Sequence, residues 1–121
     1  MSVKDPHGKH LSSHPISSGP DCREIPLGKH VPLPTGHDPS ILFSIPRGEL
    51  QAGMHGFDLW RAYELSWLDG RGRPSVGVLE LIYPISSRNI VESKSFKLYL
   101  HGIAETRFAG EERLVETIRA D

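Results

Sequence analysis

Four consecutive residues, Val91-Glu92-Ser93-Lys94, with Lys97 and His101 behind them, carry side chains whose types and spacing could bind a purine-like ring edge and a phosphate. A carboxylate offers two acceptor oxygens and can take two parallel N–H bonds. A guanine-like ring presents such a pair at N1–H and its exocyclic amine, so Glu92 could hold a purine edge. The residues that follow read as a helix start, and unpaired backbone N–H groups there favour anions. Lysines in a first turn cost the isolated helix a little, because that end is already electropositive. They make sense if a phosphate sits between Ser93 and Lys94. Lys94, Lys97 and His101 share a face by i, i+3, i+7 spacing. The same residues also fit a solvated helix surface with Glu92 as a dipole partner, and the spacing permits a ligand site without demanding one.

The elements that must position this segment are legible around it. From Phe57 to Leu68, alternate positions give Phe57, Leu59, Arg61, Tyr63, Leu65 and Trp67, a pattern that predicts a strand with one buried face. "DGRGRP" (69–74) reads as a hairpin loop, and "SVGVLELIYP" (75–84) as the antiparallel return strand. "ISSRN" (85–89) reads as a connection. Phe96, Tyr99, Leu100 and Ile103 then fall on one stripe of a helix, with Ser93 as the expected N-cap and Gly102 weakening or ending it. "GEERLVETIRAD" (110–121) predicts a second helix, with Leu114, Val115 and Ile118 on one side. The fold class is α+β, in the order strand, strand, helix, helix. A two-stranded sheet is marginal in water and has open edges, so further pairing is expected.

Composition divides the 121 residues unevenly. Eight of the ten prolines and five of the seven histidines lie in residues 1–48, whereas eight of the nine aromatics lie in residues 57–108. The core must therefore come from the second part, and the first reads as extended, loop-rich chain. A formal net charge of −1 supplies no global field to attract nucleic acid or an anionic membrane surface. No apolar run approaches the roughly 18–20 residues of a membrane span, and the N-terminus lacks the apolar stretch of a secretory signal. A lone cysteine, Cys22, cannot close an internal disulfide. A cytoplasmic protein is expected, with no nucleic-acid or membrane partner.

Other signals are weaker. His7, His10 and His14 recur at metal-like intervals, but flanking prolines and the lack of an accompanying cysteine or acidic cluster favour a solvated tail, and no metal site is assigned. His55 could shape the turn before the first strand. Trp60 and Trp67 lie at opposite parity on one strand, and core or interface packing explains them better than base stacking.

Two separated stretches carry a resemblance. "MHGFDLWRAYELSWLDGRGRP" (54–74) and "NIVESKSFKLYLHGIAETRF" (89–108) closely resemble the N-terminal half of the bimodular QueF-type nitrile reductases, the NADPH-dependent 7-cyano-7-deazaguanine reductases of queuosine biosynthesis. "PLGK" (26–29) and "SIPR" (44–47) are similar to the family's N-terminal segment. Met54 and Val91 stand where phenylalanine and isoleucine are frequent.

The resemblance implies a tunnel fold (T-fold): antiparallel strands with two helices after the first pair, assembled through oligomers. Residues 26–121 would form a partial N-terminal module, and residues 1–25 a disordered tail. It also implies that Val91, Glu92 and Ser93 contact the deazaguanine substrate and that Ser93 and Lys94 contact NADPH. In this family a cysteine thiolate adds to the nitrile to form a thioimide, an aspartic acid supplies protons, and NADPH delivers two hydrides. Those two residues lie in the C-terminal half of bimodular members. Cys22 matches no nucleophile motif, so no catalytic residue is assigned and the chain alone is expected to be inactive. The expected partners are a homo-oligomer or a complementing C-terminal half. The rival expectation is a non-catalytic purine- or pterin-binding, or purely structural, module of the same fold.

Overall fold

The computed structural model describes residues 25–121. Residues 1–24 of the expected tail, with His7, His10, His14 and Cys22, lie outside the described residues. Along the rest run β1 (Ser44–Pro46), β2 (Phe57–Leu68), β3 (Pro74–Pro84), β4 (Asn89–Val91), α1 (Ser93–Ala104) and α2 (Glu111–Ala120), with a 3-10 turn at Pro39–Ile41. Antiparallel strands and two helices make the architecture α+β, as the sequence predicts. The long hairpin and both helices fall where the periodicities place them. The short pair β1–β4 does not: "ISSRN" reads as a connection, yet Asn89 opens a strand that pairs antiparallel with β1, Val91 opposite Ser44. Three-residue strands are too short to show an alternation.

The hairpin departs from simple alternation in one informative way. Ala62 pairs with Leu79 but Leu65 pairs with Gly77, so β2 carries one extra residue at Tyr63–Glu64. This β-bulge reverses the parity of the strand. Leu65 and Trp67 are buried as expected, but Phe57, Leu59, Arg61 and Tyr63 point to solvent, and Trp60 and Ala62 face inward instead. The opposite parity of the two tryptophans is thereby resolved, because both turn to the helix side. Trp60 meets Phe96 edge to face, with centroids 6.1 Å apart.

The loop between the strands is closed by Asp69, whose Oδ1 accepts from the Arg71 and Arg73 amides at 2.8 and 3.0 Å. These bonds hold its carboxyl below the usual carboxylate range. After α1 the chain returns to the end of β2. The Leu68 amide donates to the Thr106 carbonyl and the Phe108 amide to the Leu68 carbonyl, at 3.0 and 2.9 Å.

The core joins Leu65, Trp67 and Leu79 of the hairpin to Phe96, Tyr99 and Ile103 of α1, with Phe108 and Leu114 beyond. Gly102 does not end α1. The helix continues to Ala104, and Gly102 is buried within it. A Cβ on Gly102 would lie 2.2 Å from the Gly36 carbonyl oxygen, so this glycine admits close approach of the preceding segment. That segment clasps α1 and the turn after it: Thr106 Oγ1 accepts from the His37 amide at 2.9 Å, and Ser95 Oγ accepts from the Phe43 amide at 3.0 Å. Part of the proline-rich stretch is therefore ordered packing material rather than loose chain.

Candidate functional site

The start of α1 is built around Glu92. Its backbone is extended, with φ −74° and ψ 138°, and its carbonyl accepts the first helical bond from the Phe96 amide at 3.0 Å. Its carboxylate turns back onto the helix, Oε1 accepting from the Lys94 amide at 2.9 Å and Oε2 from the Ser95 amide at 2.8 Å. Glu92, not Ser93, is the N-cap. The expectation rested on the general preference for short polar caps. Here the position is decided by β4, which keeps Glu92 extended and lets its longer side chain reach two amides.

Neighbouring groups lock this arrangement. The Glu92 amide donates to the Phe43 carbonyl at 2.8 Å, and Ser95 Oγ donates to the Glu92 carbonyl at 2.8 Å. The glutamate is only 4% exposed. Each carboxylate oxygen spends one acceptor site on the helix and retains another. The anion-binding capacity of this helix end is thus largely satisfied from within, by a carboxylate of the chain itself. Of the first three helical amides, that of Ser93 has no acceptor among the described residues, and Ser93 is exposed.

The lysines diverge. Lys94 is half-buried, and its Nζ donates to the carbonyl of Lys29. That carbonyl belongs to the "PLGK" turn, closed by the Lys29 amide on the Pro26 carbonyl at 3.1 Å, with Gly28 at φ +80°. A left-handed residue at this place in a turn favours glycine. Lys97 is exposed, and His101 is half-buried. The structure therefore brings Val91, Glu92, Ser93 and Lys94 together at one helix start, with Lys97 one turn further out. Phe43, Ser95 and Lys29, which fix these groups, escape sequence reasoning because their partners lie 52 and 65 residues away, as in Ser95 with Phe43 and Lys94 with Lys29.

A second polar cluster lies between the middle of α1 and the end of α2. Asp121 Oδ2 accepts from the buried Tyr99 hydroxyl at 2.5 Å and lies 2.7 Å from His37 Nε2. Burial, reinforced by Asp121, raises the Tyr99 hydroxyl well above its ordinary range. A groove of about 700 Å3 runs beside it between β3, α1 and α2, and it reaches Val91 but not Glu92, Ser93 or Lys94. No helix among the described residues is long and apolar enough to cross a membrane.

Comparison with known proteins agrees with the motif. Residues 34–121 match the family model described as "Nitrile reductase, 7-cyano-7-deazaguanine-reductase N-term". Proteins named NADPH-dependent 7-cyano-7-deazaguanine reductase are similar to this chain. The one from Bordetella pertussis is 46% identical over 104 residues, covering 79% of this chain and 38% of its own length. The protein from Desulfotalea psychrophila is 46% identical over 105 residues, 80% of this chain and 38% of that protein. In Ralstonia nicotianae the match is 45% identical over 119 residues, 90% of this chain and 40% of the relative. The chain thus spans about two-fifths of the length of the curated relatives it matches. With its "ESKSFKLYL" segment folded as a capped helix start and nearly three-quarters of its residues matched, this chain belongs to the nitrile reductase family, in the region described as the N-terminal part of 7-cyano-7-deazaguanine reductase.

Proposed function

We propose that this chain serves as the N-terminal portion of an enzyme that reduces 7-cyano-7-deazaguanine to its 7-aminomethyl product with NADPH, in queuosine biosynthesis in the cytoplasm. Glu92, with Val91 and Ser93, contacts the deazapurine, and Ser93 and Lys94 contact NADPH. The observation that carries this reading is the locked Glu92 carboxylate beside an exposed serine and a lysine at one helix start. A carboxylate held by two backbone amides is already oriented when a ring edge arrives, so little ordering is left to oppose binding. Its remaining acceptor sites suit two parallel donors. Ser93 offers an amide and a hydroxyl, and Lys94 an ammonium that can exchange the Lys29 carbonyl for a phosphate oxygen. These groups fit the anionic part of a dinucleotide, and NADPH when bound would supply hydride. A sheet with open edges is consistent with completion by further polypeptide, from a complementing half or from other copies of the chain.

The test uses the intact Bordetella pertussis relative, with the residue aligned to Glu92 changed to alanine. Loss of a charge-assisted pair is expected to weaken nitrile binding by roughly ten- to a hundredfold, since such bonds contribute about 1.5–3 kcal/mol. Unchanged nitrile affinity would defeat the assignment. This chain by itself is expected to consume no NADPH when given the nitrile, because the family's nucleophile belongs to the other half.

A further inference from the structure

Among the described residues the two sheets share no strand pairing, so something else must seat the short β1–β4 pair on the long hairpin. β1 and β4 have three residues each, too few to hold their place alone. Their ladder is closed at one end by the Glu92 amide on the Phe43 carbonyl and at the other by the Arg47 amide on the Arg88 carbonyl, both at 2.8 Å. The Glu92 end is fastened to α1 through Ser95. The opposite end is fastened by the Arg47 side chain, which is 16% exposed. Its Nη2 donates to Asp58 Oδ2 at 2.5 Å and its Nε to Ser87 Oγ at 3.1 Å. Asp58 lies in β2 on the inward parity of Trp60 and Ala62, where a half-buried carboxylate is costly without a partner. No other ion pair among the described residues links the two sheets.

We propose that Arg47 is a positioning residue for Glu92: by gripping Asp58 and Ser87 together it fixes where the β1–β4 pair sits, and with it the carboxylate at the pair's other end. A guanidinium carries its donors in a rigid planar fork and can hold two acceptors from different parts of the chain at once, which a single ammonium does less well. Here one acceptor belongs to the hairpin and the other to the connection that leads from β3 into β4. The chain therefore enters β4 from a fixed point, and Asn89, Ile90 and Val91 lead directly to Glu92. A slip of one residue in this pairing would turn every side chain of β4 to the other face and part the Glu92 amide from Phe43. Arg88 and Glu92 are about 13 Å apart along extended chain, so Arg47 acts through the strand and not by touching what Glu92 holds. The consequence for ligand binding rests on the reading of Glu92 as a deazapurine contact, whereas the positioning itself does not.

The test is hydrogen exchange on the full chain. Arg47→Met keeps the apolar stem and removes the fork. Exchange at the Glu92, Lys94 and Ser95 amides should quicken about tenfold, while the Tyr99 and Ile103 amides, deeper in α1, change less than about threefold. Asp58→Ala should act in the same direction, and the double variant should be no worse than Arg47→Met, since both substitutions remove one contact. Asp58 is 46% exposed, so its substitution keeps the test valid if Arg47→Met fails to fold. Unchanged exchange at Glu92, equal acceleration at Ile103, or fully additive effects of the two substitutions would overturn the proposal. Binding is read separately, in the intact Bordetella pertussis relative with the residue aligned to Arg47 changed to methionine. Nitrile affinity should fall by about three- to tenfold, less than for the change aligned to Glu92. Faster exchange at Glu92 in this chain, with nitrile affinity unchanged in both variants of the relative, would leave the positioning standing and defeat the ligand reading. Affinity lost on changing the residue aligned to Glu92 but not that aligned to Arg47 would overturn the part given to Arg47 in binding.

Discussion

The two helices are of similar length but are held in different ways. α1 begins on a carboxylate that caps two amides, and it buries Ser95, Phe96, Tyr99, Gly102 and Ile103 against the hairpin and the clasping segment. α2 begins at Gly110 with no side-chain cap, and it relies on Glu111 and Glu112 in its first turn and on one buried residue, Leu114. Acids near a helix start each contribute typically 0.3–1 kcal/mol, and Arg119 in the last turn complements the other end. That is enough to bias α2 towards helix but not to seat it. The difference teaches which helix serves as scaffold. α1 is tied down by hydrogen bonds where the candidate ligand contacts begin, and α2 presents an incompletely covered stripe to the groove.

The contrast can be broken most forcefully at Gly102. Gly102→Ala raises intrinsic helix propensity by nearly 1 kcal/mol, yet its Cβ would fall 2.2 Å from the Gly36 carbonyl oxygen. Overpacking should win, with a net loss of about 1–3 kcal/mol in chemical denaturation and release of the segment around Gly36. A stabilised variant would show that the clasp is not held closely. Next in size is Glu92→Ala, which leaves the Lys94 and Ser95 amides without their cap. A cost of about 0.5–2 kcal/mol is expected, and faster hydrogen exchange at those two amides distinguishes cap loss from a general effect. The smallest effect is expected at α2. Gly110→Ser supplies the missing cap and should stabilise by a few tenths of a kcal/mol, visible as slower exchange in the first turn of α2 only. Equal and opposite responses at Glu92 and Gly110 would erase the distinction drawn between the helices.

The hairpin holds a second contrast within one strand. Beyond the bulge, Leu65 and Trp67 are buried, but before it Tyr63 is 76% exposed and stands on a face shared with Leu59 and Ile82. On that face the Arg61 Nε donates to Glu80 Oε1 at 2.7 Å across the strands. An exposed pair of this kind contributes little to stability. Nothing in periodicity reveals the bulge, because "WRAYELSW" alternates plausibly in either register. The two inward tryptophans are the trace it leaves.

The sequence by itself determined the α+β class, the hairpin from Phe57 to Pro84, both helices and the stretch where ligand chemistry is concentrated. Each depends on local periodicity or on a contiguous motif, which a linear reading can detect. Tertiary structure decided the rest: the parity switch in β2, the pairing of β1 with β4, the use of Gly102 as a contact point, and the choice of Glu92 over Ser93 as cap. All four depend on partners distant in the chain. The Glu92 cap shows the reason most clearly. A glutamate is an ordinary surface residue until Phe43 fixes its backbone and two amides fix its carboxylate, and only then does its position become a property of the fold.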